Sequence, residues 1–219
     1  MSQAPGKAAR STAEPEPAWD IAYLFPPQGC WSEEEYLALD TNRLVEFSNG
    51  VLAVLPMPTT SHQLLAFYLA GLLAAFVTGQ SLGTVLPAPL RVRLRRGQYR
   101  EPDVVFMRRE HSSRIGEKFW KGADLVMEVV SEGKEDRHRD YVIKRREYAR
   151  AGIPEYWIVD PQEEKFLVLR LAGKRYVVHG EFGKGAIATS HLLPGFSVDV
   201  TQALTQPAPQ ARRGRKPKR

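Results

Sequence analysis

Apolar positions fall into blocks whose spacing changes along the chain. In DLVMEVVSEG, Asp124 to Gly133, Leu125, Val126 and Met127 precede Glu128, and Val129 and Val130 follow it. Such a run reads as a strand buried on both faces. DVVFM from Asp103 is a second core strand, and YWIVD, KFLVLR and RYVVH follow downstream. PLRVRL alternates as a half-buried strand does. VEFSNGVLAVL predicts two short strands about a turn at Asn49-Gly50. SEEEYLAL predicts a helix capped by Ser32, with Glu35 answering three residues later. SHQLLAFYLAGLLAAFV, from Ser61, is apolar almost all round and predicts a buried helix. RHRDYVIKRREYARAG predicts a helix closed by Gly152 and Pro154, and LPGF a last turn. Helix, strands, long helix, strands, helix, strands: that order predicts an α/β domain with one central mixed sheet flanked by helices.

Length and charge narrow this picture. The 219 residues suit one domain with tails: residues 1–18 as a disordered segment, 19–203 as the folded body, and 204–219 as a basic tail. The net charge is +6, and the last eight residues, RRGRKPKR, hold six of the 31 Lys and Arg. The other 25 cations meet 25 Asp and Glu, so the body is formally neutral. Cys30 is the single cysteine, which excludes an internal disulfide and fits a reducing compartment. The first twenty residues lack the apolar core of a signal peptide, and Leu64–Val77 is too short to span a bilayer. The expectation is a soluble, cytoplasmic protein with no membrane contact.

Two carboxylates carry the candidate chemistry. Glu128 interrupts a core strand, where a lone charge is costly unless protonated, paired or metal-bound. Asp103 opens its strand after Pro102, which cannot donate to a ladder, so it sits at a strand mouth. Taken singly, Asp103 reads as a turn or cap and Glu128 as half of a buried ion pair. Taken together, on neighbouring strands, they read as ligands for a hard divalent cation. Position 130, which shares a face with Glu128, is valine, so no lysine stands beside the pair on its own strand. In the following helix Tyr141, Lys144, Tyr148 and Ala151 share one face, which places Lys144 inside an apolar stripe. Its alternatives are pairing with Asp140 four residues back, or snorkelling out.

Pro102-Asp103 followed by Glu128-Val129-Val130 resembles the PD-(D/E)XK nuclease signature with valine in the lysine slot. REPDVVF, LVMEVVS, Lys144 with YARAGIPEYW, and LPGF resemble the bacterial Uma family of putative restriction endonucleases, over roughly residues 31–203. The resemblance implies a restriction-endonuclease-like fold and a metal-dependent DNA endonuclease using Mg2+ or Mn2+, with no small-molecule organic cofactor, acting as a homodimer. It implies Asp103, Glu128 and the carbonyl of Val129 as metal ligands, and Lys144 as the lysine moved from strand to helix. Glu46 matches an N-terminal acidic residue and His62 a histidine at the start of the long helix. Glu46 either supports a second metal through water or pairs with an arginine, and His62 is a catalyst, a cap or a core contact. Ser131-Glu132-Gly133 departs from the Ser-Pro-Ser usual in relatives, at a loop and not at a ligand.

Two further readings stay open. Val130 favours a DNA-binding protein that kept the fold and lost turnover; an RNA- or protein-interaction module would need stacking aromatics on an exposed sheet. Arg212, Arg213, Arg215, Lys216, Lys218 and Arg219 form a candidate nucleic-acid-binding tail. It resembles an AT-hook interrupted by Lys216, and also reads as a solvated basic tail that binds any polyanion.

Overall fold

The computed structural model describes residues 25–41 and 43–206. The expected 1–18 segment and the basic residues from Arg212 to Arg219 lie outside this range.

The capping box forms as the sequence predicts. Ser32 caps α1 (Glu33–Ala38), its hydroxyl accepts from the Glu35 N–H, and Glu35 accepts from the Ser32 N–H at 2.8 Å. Strands β1 (Val45–Ser48) and β2 (Val51–Val54) pair antiparallel about Asn49 and Gly50. Both turn residues have positive φ, 49° and 85°, as a tight hairpin turn of matching twist requires.

The long helix α2 spans Thr60–Gly79, with Thr59 accepting from the His62 N–H. Its sequence pattern predicts burial all round, but only one face is covered. Leu65, Leu69, Leu73 and Val77 pack inward, while Phe67 on the opposite side is 74% exposed. At twenty residues it is also longer than the stretch read from sequence, long and apolar enough to cross a membrane by length and composition alone. Here its inner face covers a sheet.

That sheet has six strands in the order β11-β10-β9-β8-β6-β3. They are β3 (Gly83–Pro87), β6 (Val104–Arg108), β8 (Leu125–Val129), β9 (Glu155–Asp160), β10 (Lys165–Ala172) and β11 (Arg175–Gly183). β8 and β9 run parallel and the other neighbours antiparallel, giving the mixed central sheet expected. On one face Val104, Phe106, Leu125, Met127 and Val129 meet α2. On the other, Val105, Met107, Val126, Val130 and Ile158 meet a helix running from Lys134 to Ala151. Continuous apolar runs arise because both faces are covered.

A second, five-stranded sheet, β2-β1-β5-β4-β7, was not anticipated. It adds β4 (Val92–Arg95), β5 (Gln98–Arg100) and the two-residue β7 (Trp120–Lys121). A ribbon of β12 (Ile187–Thr189) and β13 (Ser197–Asp199) precedes α5 (Val200–Leu204), so ordered structure runs one residue past the expected body.

The helix on the second face begins three residues before the expected Arg137. It comprises α3 (Lys134–His138), a π-helical turn (Arg139–Lys144) and α4 (Arg145–Ala151), and ends at Gly152 with φ 79°. A π turn re-aims the side chains it carries. Asp140 and Lys144 are its two buried residues.

Candidate active site

Strand register brings the two carboxylates together. Val104 pairs with Met127, and one step further along this antiparallel register Asp103 lies across from Glu128. The Asp103 carboxylate accepts the Val129 N–H at 2.7 Å, at the strand mouth beside Pro102. His62, at the start of α2, hydrogen-bonds the Val129 carbonyl through Nε2 at 3.0 Å, with the same nitrogen 3.4 Å from Asp103 Oδ2. The Asp103 carboxylate and the Val129 carbonyl therefore both face His62 Nε2. Burial opposes a charge on His62, but the hydrogen bond and charge of Asp103 outweigh it and raise its pKa.

Glu128 is buried, and Lys144 reaches it. Lys144 Nζ lies 2.8 Å from Glu128 Oε2, 3.4 Å from Glu46 Oε1 and 3.5 Å from Asp140 Oδ1. The Asp140 pair, one of the alternatives for Lys144, is thus present but longer than the pair with Glu128. Tyr148, one turn along on the same helical face, donates its hydroxyl to Glu128 Oε1. Burial pushes the Glu128 carboxyl up to about 8; Lys144 opposes this, and Asp140, Asp103 and Glu46 add to it. Burial alone would lower the Lys144 pKa, yet Glu128, Glu46 and Asp140 together raise it, so the ammonium stays charged.

The second sheet supplies the remaining wall. Glu46 on β1 and Arg100 on β5 stand across from each other, since Phe47 pairs with Tyr99. Arg100 donates to Glu46 at 3.0 Å and grips Glu147 through two nitrogens at 2.8 and 2.9 Å. Burial opposes the Glu46 charge, while Lys144 and Arg100 outweigh it and lower its pKa. Of the two readings left open for Glu46, the arginine pair is present. Val130 packs into the apolar cluster on the helix-covered face of the sheet.

Two contributions escaped the sequence reading, that of Glu101 and the contact of Tyr148. Glu101 lines the same cleft and accepts from the Val45 N–H, and burial pushes it up to about 7 against the pull of Arg91. Its signal was a buried-side acid two residues before Asp103. Tyr148 was placed on the correct face but not on Glu128. Arg139 lines the cleft and reaches Asp136 at 2.7 Å. Ser131 also lines the cleft, and the departing loop feeds into α3 at Gly133.

The family model described as Uma2, a putative restriction endonuclease, matches residues 33–201. The chain belongs to this family. Among solved structures, a putative nuclease belonging to DUF820 from Anabaena variabilis superposes with a TM-score of 0.66. It is 16% identical and covers 80% of this chain and 98% of its own. At that identity the likeness establishes the restriction-endonuclease-like fold. The chain matches no curated protein.

Within this Uma2 family member, the donor set can be tested for a metal. Among the described residues no three His, Cys, Asp or Glu side chains form a ready-made cage. The set instead combines carboxylates with a backbone carbonyl, all hard oxygens of the kind Mg2+ and Mn2+ take. Glu46 Oε1 and Asp140 Oδ1 are buried with no hydrogen-bond donor. Buried carboxylates there outnumber buried cations, and burial foremost, with Asp140, Asp103 and Glu46 adding to it, pushes Glu128 towards its protonated form. A divalent cation fits that deficit.

Proposed function

We propose that the protein is a metal-dependent DNA endonuclease that hydrolyses phosphodiester bonds. The observation that carries it is Lys144 on Glu128, across the strand pair from Asp103: the helix supplies an ammonium to the glutamate, while position 130 of the strand carries valine. Asp103, Glu128 and the Val129 carbonyl would hold Mg2+ or Mn2+, which when bound polarises a phosphate and activates water. Lys144 stabilises charge developing on the phosphate, helped by burial that keeps its own charge from being screened. Glu46 and Asp140 fix the ammonium from behind, and Arg100 fixes Glu46. His62 orients Asp103 and the Val129 carbonyl through one nitrogen, a positioning role. Two active centres cut a duplex most simply when related by a two-fold axis, so the proposal includes a homodimer, which light scattering tests. It also places the protein in the cytoplasm, on its single cysteine.

One observation favours the inactive DNA-binding alternative. Both Glu128 oxygens already have partners, Lys144 and Tyr148, so ligation requires at least one to yield. Supercoiled plasmid separates the readings. With Mg2+ or Mn2+ we expect nicked and linear products, and with chelator none. DNA retained in a gel-shift assay, uncut with either metal, would favour the alternative.

A further inference from the structure

Formal neutrality of the body hides a segregation of charge. Among the described residues seven carboxylates, Glu46, Glu101, Asp124, Glu128, Asp140, Glu155 and Asp160, are buried, but only two cations, Arg100 and Lys144. The cations left outside are not spread evenly. One recess, beside the β4–β5 hairpin, is lined by Arg93, Arg95, Arg96, Arg114 and Lys121. A second, sharing Arg95, Leu94 and Ala151 with the first, adds Arg146 and Arg150 from the outer face of α4. A third shares those two arginines and adds Arg145, Lys174 and Arg175. Shared walls make the three recesses one band of ten cations, eight of them arginine.

The acids beside this band are spoken for. Glu147 turns inward to Arg100, and Glu33 accepts from the Gly97 N–H and the Tyr99 hydroxyl. None of the ten cations has a carboxylate of the described residues within 4.0 Å. No residue lines both the band and the catalytic cleft. The two meet on one helix, where Arg145 of the band follows Lys144 of the cleft, but Lys144 is buried while Arg146 and Arg150 are exposed on the outer face.

We propose that this band is a second anionic-polymer surface, distinct from the Asp103–Glu128 cleft, that grips the sugar–phosphate backbone of DNA without reading its sequence. The choice of DNA rests on the nuclease reading; the charge does not. Guanidinium forks match phosphate oxygens two at a time, which suits a polyphosphate better than scattered carboxylates. Arg93 lies 4.9 Å over the Phe119 ring, so that ring is taken by a cation and is not offered to a base. Backbone contacts of this kind give affinity and salt dependence and no sequence preference.

The test uses the full chain with Arg96→Gln, Arg114→Gln, Arg146→Gln and Arg150→Gln combined. Anisotropy of a labelled duplex is followed against salt in chelator, so that no cleavage occurs. The log–log salt slope should flatten by up to about 3.6 units if all four meet phosphates. The matching four-lysine variant should keep the parent slope. If the quadruple variant melts early, the pairs Arg96/Arg114 and Arg146/Arg150 replace it, each worth up to about 1.8 units. An unchanged slope overturns the proposal. So does loss of binding to phosphatidylserine vesicles with the DNA slope intact, which would assign the band to a membrane surface. Failure of the parent to cut plasmid would sink the nuclease reading and leave this slope where it is.

Discussion

Replacing Lys144 by methionine keeps most of the stem and removes the ammonium, leaving three buried carboxylates facing an apolar tip. Lys144 is 2% exposed, and Glu46, Glu128 and Asp140 are 1%, 4% and 3% exposed, so solvent screens little of the loss. Removing one partner from a buried pair costs about 3–5 kcal/mol. In a domain of this size each kcal/mol is worth about 2–4 °C of Tm, so Lys144→Met should melt roughly 6–20 °C below the parent. Proton uptake by Glu128, already pushed up to about 8, offsets part of the cost and moves the result towards the lower end. Adding Glu128→Gln to Lys144→Met removes an orphaned carboxylate and should recover stability, with a coupling of about 0.5–3 kcal/mol. Urea melts of the parent, both single variants and the double variant measure all three terms. Strictly additive variants, or a Lys144→Met within about 0.5 kcal/mol of the parent, would refute the ion-pair reasoning, since that is the spread of neutral surface changes.

Asp160 anchors the helix that carries Lys144, through Arg137 at 2.8 Å and the Tyr141 hydroxyl at 2.7 Å, so Asp160→Asn should cost about 1–3 kcal/mol. Burial opposes the Asp160 charge, but Arg137 and Tyr141 outweigh it and hold its pKa below 3.8; its contribution is therefore present above pH 3.8 and lost as pH falls through the lower folded value. Urea melts should show the gap between parent and variant narrowing in acid, and a constant gap would contradict the linkage. Deleting 212–219 should flatten the DNA salt slope by up to about 5 units while leaving Tm unchanged, and an equal slope would mean the tail does not touch DNA. A chelator should lower the parent's Tm relative to Mn2+, and Asp103→Asn should abolish that difference, because a ligand held only by the native state stabilises it.

Much of the fold was legible where local chemistry decides it. Ser32 and Glu35, Asn49-Gly50, and the runs around Asp103 and Glu128 each name their element by residue type and period. Lys144 was found by the helical wheel, because a charge inside an apolar stripe must meet something. What it meets was only partly legible. Asp140 is four residues away on the same helix, but Glu46 lies on a different sheet, nearly a hundred residues earlier. Arg100 and Glu46 likewise meet only because β1 and β5 pair. Such contacts depend on register between strands distant in sequence, which no local period records. The second sheet was missed because β5 and β7 are three and two residues long, too short to show alternation. The exposed side of α2 was missed because Phe67 is as apolar as the residues beneath it, so the pattern carries no signal of which face is covered.

The initial rate of plasmid cleavage by Lys144→Met, with Mn2+ present and Mn2+ binding confirmed on the same sample, tests the site most directly. If the helix lysine supplies the missing strand cation, cleavage should fall by about 10²–10³-fold while the metal still binds, because a stabiliser of developing charge is lost and no ligand is. Cleavage as fast as the parent's would show that Lys144 only neutralises Glu46, Glu128 and Asp140, and would contradict its place in the active site.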